Sequence, residues 1–214
     1  QQRKRLLEYD DVMNQQREVI YSLRLFALER GEEIKAEARR MIEMALERAV
    51  TQFLSGAARP EEYDRGGLRE ALALQYLVTV DALTDAEAAP GLDEMVTMVK
   101  GEGEAAFSRK IEYLSEFGKT IGIPEVDAQV LSQVMLSVLD ERWKDHLYDL
   151  DQLRNAIQYR AWGQKDPLVE YKRESFEMFE EMMQRFQEET VRILYQMQIL
   201  ERPPDSGVMP GSGP

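Results

Sequence analysis

Apolar residues recur at helical spacing along most of this chain. Leu131, Met135, Val138, Trp143, Leu147, Leu150, Leu153 and Ile157 fall three to five positions apart. They predict one apolar stripe on a helix over 125–162, about 38 residues and ~57 Å long at a rise of ~1.5 Å per residue. A second stripe follows through Tyr171, Phe176, Phe179, Met182 or Met183, Phe186, Ile193 or Leu194, and Met197. Near the other end, Leu6, Leu7, Val12 or Met13, Val19 or Ile20, Leu23, and Phe26 or Ala27 predict an amphipathic first helix. Ile34, Ala38, Met41 or Ile42, Ala45 or Leu46, Ala49 and Phe53 predict a second over Glu32 to Leu54. The middle is less regular. Gly67 to Tyr76 reads as a helix, Leu92 to Phe117 as one or two, and Leu77-Val78-Thr79-Val80 either stays helical or forms a short extended stretch with alternating β-branched residues.

Glycine and proline divide the chain in the same way, because glycine is entropically costly inside a helix and proline lacks the N–H that a helix interior needs. Neither occurs from Glu32 to Ser55, from Glu125 to Trp162 or from Leu168 to Arg202; they crowd between Gly56 and Gly122 and after Pro203. The expectation is an all-α fold in which long helices flank an irregular middle. The turn Trp162-Gly163-Gln164-Lys165-Asp166-Pro167 carries its own chemistry. Gly163 suits the left-handed position after a helix, Asp166 suits an N-cap and Pro167 the first helical position. So short a loop makes the flanking helices antiparallel. The result is a long helical hairpin with an aromatic residue and a cluster of cations, Arg154, Arg160, Lys165, Lys172 and Arg173, around its tip. One reading of that hairpin is a structural arm whose aromatic stripe is its core. The other gives Trp162 work at an exposed tip, where functional residues concentrate.

Charge narrows the function classes. The 214 residues carry a net charge of −13, with 11 basic against 18 acidic residues over 31–124. That balance argues against a nucleic-acid surface, which requires clustered lysine and arginine. With no cysteine and a single histidine, His146, thiolate chemistry, Cys-ligated metals and multi-histidine metal sites are excluded within the chain. No stretch approaches the ~18 consecutive apolar residues of a membrane span, so the chain is expected to be soluble by itself. Its start at Gln1, without a methionine or signal-type apolar run, reads as that of an excised piece.

Several groupings imitate catalytic sites. Gly118-Lys119-Thr120 resembles the end of a phosphate loop, but Tyr113 stands where that loop needs glycine. Gly101-Glu102-Gly103-Glu104-Ala105-Ala106 imitates a dinucleotide turn, yet its two glutamates would repel pyrophosphate. His146 with Asp145 or Asp149 satisfies no triad geometry on one helix. The adjacent pairs Asp10-Asp11 and Asp140-Glu141 point about 100° apart on a helix, as solvated or salt-bridged surface residues would.

The residues also carry a family resemblance. Leu6-Leu7-Glu8-Tyr9-Asp10-Asp11-Val12 with Gln16-Arg17, Trp143-Lys144-Asp145-His146-Leu147, Leu153-Arg154, Arg160, Gln164-Lys165-Asp166-Pro167 and Glu170-Tyr171-Lys172-Arg173-Glu174-Ser175-Phe176 resemble the carboxyl-terminal third of the SecA family of bacterial preprotein translocase ATPases. The resemblance implies a helical scaffold domain whose first long helix is 1–30, a helical wing over 31–124, a two-helix finger over 125–202 and a flexible linker tail over 203–214. It implies that the fingertip residues Arg160, Trp162, Gln164 and Lys165 touch the translocating polypeptide and the SecY channel complex. Tyr9, Asp10, Asp11 and Arg17 are implied to face the nucleotide-binding domains of the parent chain. ATP and Mg²⁺ would belong to those domains, with no cofactor in this chain. Residues 203–214 read as linker where the family often carries a zinc-binding tail. The implied location is the cytoplasm, peripherally at the inner face of the plasma membrane. Trp162 stands where the family usually has tyrosine; both offer a flat amphipathic ring. The bare apolar face of the first helix favours self-association. The alternative function is a self-standing helical interaction or regulatory module with no motor.

Overall fold

Capping chemistry fixes where the helices start and stop. The computed structural model describes residues 2–29, 32–57, 59–84, 90–160 and 166–198, with side chains from position 7 in the first helix and up to 157 in the fifth. Among those residues all extended regular structure is helical: α1 (Gln2–Leu28), α2 (Glu32–Leu54), α3 (Arg65–Ala71), α4 (Leu92–Ile121), α5 (Val126–Arg160) and α6 (Pro167–Gln196). At the start of α6, the Asp166 side chain accepts the Leu168 N–H at 3.0 Å and Pro167 is the first helical residue, as the turn sequence predicts. Gly163 lies outside the described residues. The end of α4 shows the glycine device instead: Gly122 takes φ 71°, its N–H donates to the Lys119 carbonyl at 3.3 Å, and the Ile123 N–H donates to the Gly118 carbonyl at 2.9 Å.

Side-chain pairs fix the packing. Arg142 with Glu189, His146 with Phe179, and the shared cluster of Leu153, Ile157 and Tyr171 make α5 and α6 an antiparallel hairpin. Arg39 with Glu104 and Lys100 with Glu47 do the same for α2 and α4. The helix α1 lies along the hairpin, antiparallel to α5 and parallel to α6. Ile34, Ile42, Leu46, Leu131, Leu139, Phe186 and Val191 are buried in one continuous core shared by the α2/α4 pair and the base of the hairpin. Lys35 of α2 locks that junction through a 2.8 Å ion pair with the buried Asp127, in the first turn of α5.

The structure corrects parts of the predicted stripes. Phe176 is 58% exposed, and the neighbouring Ser175 takes the buried position between Tyr171 and Met182. On α5, His146 and not Leu147 occupies the core-facing slot. Leu7 is exposed, and Trp143 is only partly buried against the core. In the middle, the expected Gly67 to Tyr76 helix is α3 followed by a π-helical turn at Leu72–Tyr76, which ends at Leu77 with φ 53°. Beyond it Val78 and Val80 point inward while Leu77 and Thr79 point out, so the stretch has the alternation of a strand without a described strand partner. The region Leu92 to Phe117 is one helix, α4, which continues to Ile121.

Candidate functional site

Among the described residues, four polar rungs join α1 to the hairpin. The N-terminal rung pairs Asp10 Oδ1 with Arg154 Nη1 at 3.4 Å, with the Arg154 guanidinium 5.8 Å from the centre of the Tyr9 ring. Tyr9 in turn meets Tyr171 of α6 edge to face, ring centres 4.7 Å apart. The second is buried: Gln16 Nε2 donates to the Ser175 carbonyl at 3.1 Å, and Gln16 Oε1 lies 2.8 Å from His146 Nε2. The third is the Arg24–Asp140 ion pair, and in the fourth Ser132 Oγ donates to the Ala27 carbonyl. Each advance of six to eight residues along α1, from Asp10 to Gln16 to Arg24, is matched by a similar retreat along α5, from Arg154 to His146 to Asp140. Two turns of helix are ~7 residues, so one α1 face meets one α5 face throughout.

The charges on the two ion-paired rungs reverse in sense. On α1 an anion precedes a cation, Asp10 before Arg24; on α5 an anion also precedes a cation, Asp140 before Arg154. Only the antiparallel arrangement pairs opposite signs at both ends, and the parallel one would set like against like.

The predicted site residues separate under this geometry. Tyr9 and Asp10 are turned toward the α5/α6 hairpin, against Tyr171 and Arg154. Asp11 is exposed beside a groove of about 450 Å³ between α1 and α6, lined also by Gln15, Val19, Lys172 and Phe176. Arg17 is half-buried on the same helix. At the tip, Arg160 ends α5, whereas Trp162, Gln164 and Lys165 lie outside the described residues. Two members of the expected cation cluster are engaged by acids: Arg154 by Asp10, and Arg173 by Glu170 at 3.0 Å and Glu177 at 2.9 Å. The outward face of α1 keeps an apolar stripe, Tyr21, Leu25 and Leu28, one turn apart and each more than half exposed.

The sequence mimics of catalytic sites resolve into structure. Gly118-Lys119-Thr120 forms the last turn of α4, an end that presents carbonyls and repels anions. Gly103 lies inside α4 at its crossing with Leu46 of α2. His146 is packed between Trp143 and Phe179, with ring centres 5.6 Å away on each side. Burial lowers its pKa to about 4, against a smaller upward pull from Asp149. Among the described residues no cluster of three or more potential metal-ligating side chains converges, and no helix is long and apolar enough to cross a membrane. Gln16 was not among the predicted residues, although it sits in the buried phase of α1 with Val12, Ile20, Leu23 and Ala27. A glutamine at an apolar position of a stripe was the available signal.

A long hairpin laid along another helix, and joined through one shared core to a second helical pair, defines an all-α helical bundle. Residues 1–198 match the sequence family described as the SecA wing and scaffold domain, and the chain belongs to that family. Similar proteins include the protein translocase subunits SecA of Solibacter usitatus, 38% identical over 92% of this chain and 19% of that protein. That of Carboxydothermus hydrogenoformans is 39% identical over 94% of this chain and 22% of that protein. The SecA of Saccharopolyspora erythraea is 38% identical over 92% of this chain and 20% of that protein. The chain thus spans about one fifth of the length of the curated relatives it matches.

Proposed function

We propose that this chain is the scaffold, wing and two-helix-finger portion of an ATP-driven preprotein translocation motor. In this reading α1 is the scaffold helix, 31–124 the wing, α5 and α6 the finger over 125–202, and 203–214 a linker. The observation that carries it is the rung pattern. The finger's two helices are both held to α1, so a displacement delivered to α1 reaches the finger as a rigid-body movement. The exposed stripe Tyr21, Leu25 and Leu28, on a chain one fifth the length of its relatives, supports packing of α1 against the parent's nucleotide-binding domains, where ATP and Mg²⁺ act. Asp11 and Arg17 border that contact, while Tyr9 and Asp10 relay it to Tyr171 and Arg154. Arg160, Trp162, Gln164 and Lys165 form the fingertip that meets the preprotein and the SecY channel complex, at the cytoplasmic face of the membrane.

The test uses the full-length parent protein with membrane vesicles carrying the channel. Trp162→Ala lowers preprotein translocation at least about tenfold while the melting of the protein shifts little, as for a surface substitution. Trp162→Tyr retains most of the activity, because the amphipathic ring persists. Unchanged translocation in Trp162→Ala overturns the fingertip role. Residues 125–202 added in trans to a parent core lacking them lower its basal ATPase rate; unchanged turnover with demonstrated binding overturns the regulatory part.

A further inference from the structure

We infer that Gln16 is a latch residue: its amide locks His146 of α5 and the Ser175 carbonyl of α6 into one buried layer that divides the hairpin into a proximal half fused to the main core and a distal half that opens separately. The argument starts from donors and acceptors. A backbone carbonyl only accepts, so the Gln16 atom 3.1 Å from the Ser175 oxygen must be the amide nitrogen. That orientation leaves Gln16 Oε1, which also only accepts, facing His146 Nε2 at 2.8 Å. The proton of that bond must therefore reside on His146 Nε2. In the neutral ring, Nδ1 then carries none, and the tautomer is set by a backbone carbonyl of α6.

The layer stands where the apolar packing is divided. On one side Leu153, Ile157 and Tyr171 form a small cluster with Tyr9, Val12 and Met178. On the other, Met135, Val138, Leu139, Met182 and Phe186 belong to the main core. Gln16, His146 and Ser175 are all buried between them. The neighbours of the His146 ring are Trp143 and Phe179, which offer no replacement for the Gln16 oxygen. Removing Gln16 leaves a buried N–H without a partner, a cost above that of an ordinary lost hydrogen bond. A small apolar cluster held across such a layer is the lower-stability unit of the hairpin, because it has the fewer buried contacts to lose.

The charged groups around the ring leave this bond in control. Its own helix presents Asp149, and the adjoining α5/α6 groove carries Arg142, Lys144 and Asp145 from α5 with Glu181 and Arg185 from α6. The α1 side presents the neutral Gln16, and the facing α6 residues Ser175 and Phe179 are neutral. Burial outweighs Asp149 and keeps the ring uncharged at neutral pH.

The test uses the 214-residue chain, in which His146 is the only histidine, so its ring resonances need no assignment. Ring ¹⁵N shifts at pH 7 are expected to report the Nε2–H tautomer; a predominantly Nδ1–H ring overturns the latch without any variant. Gln16→Glu keeps an acceptor for His146 and adds a negative charge, so the His146 titration midpoint rises by at least about one pH unit; an unmoved midpoint overturns the contact. In Gln16→Leu, amide hydrogen exchange is expected to accelerate at least about tenfold over 147–157 and 168–178 and to change less than about twofold over 131–139 and 186–195. Uniform acceleration along both helices, or none, overturns the division into two halves.

Discussion

Gly103 of α4 and Leu46 of α2 approach so closely that a Cβ on Gly103 would stand 2.2 Å from Leu46 Cδ1. The Leu46 side chain is fully buried, so moving it aside displaces other core atoms. Tyr195, whose hydroxyl donates to the Gly103 carbonyl at 2.8 Å, closes the other side at 3.3 Å from that Cβ. Gly103→Ala is therefore expected to destabilise the chain by about 1–3 kcal/mol, the overpacking cost exceeding the gain in helix propensity of ~1 kcal/mol. Gly101→Ala, where nothing lies within 4 Å, is expected to stabilise by about 0.5–1 kcal/mol. Thermal or urea melts of the two variants check the contrast, and equal effects contradict it.

The reversed charges of the two ion-paired rungs predict a rescue. Arg24→Asp sets two carboxylates together and is expected to cost about 0.5–1 kcal/mol, since both partners are part-exposed. Adding Asp140→Arg restores most of the loss. In 1 M salt both differences shrink. A double variant no more stable than the single one, in melts at low salt, counts against orientation by these charges.

His146 makes the fold sensitive to mild acid. Its pKa falls from 6.5 to about 4 on folding, so between those values the unfolded chain binds the proton that the folded chain refuses. Stability from this group is complete above pH ~6.5, declines as pH falls toward ~4, and is lost by up to about 3 kcal/mol below that. His146→Gln keeps a donor for Gln16 but cannot titrate. The difference in stability between wild type and this variant is expected to fall through that window, and a pH-independent difference refutes it.

Lys110 closes the far end of the hairpin. Its ammonium donates to the Tyr195 carbonyl at 2.7 Å and the Met197 carbonyl at 2.8 Å, where the last carbonyls of α6 lack helical partners. Lys110→Met is expected to cost about 1–2 kcal/mol and to raise amide exchange in the final turn of α6. Protection there equal to wild type contradicts the cap.

Much of this architecture is legible in the sequence, because helices announce themselves through periodicity and through end-capping residues. The restart at Asp166-Pro167 and the span Glu32 to Leu54 follow from local chemistry alone. The errors fall where tertiary contact selects between adjacent positions. Phe176 is apolar and Ser175 polar, yet Gln16 of α1 crosses α6 at that level, and the small residue admits it. The periodicity favours Leu147 over His146 for the same reason: an imidazole is apolar enough to bury once a distant glutamine accepts its N–H hydrogen bond. The inward turn of Tyr9 and Asp10 is likewise set by residues more than 140 positions away, Arg154 and Tyr171, which no local pattern reveals.

The staircase of rungs has a mechanical consequence. Because α1 runs side by side with α5 and α6 over its length, a pull along its axis loads every rung in shear at the same moment and cannot peel them one by one. A slip of a single residue, ~1.5 Å, would misalign Asp10–Arg154, Gln16–His146 and Arg24–Asp140 together. A sideways tug at either end meets one rung at a time. The bundle is therefore stiff to force along its length and yielding to force across it, so its resistance depends on the direction from which it is pulled.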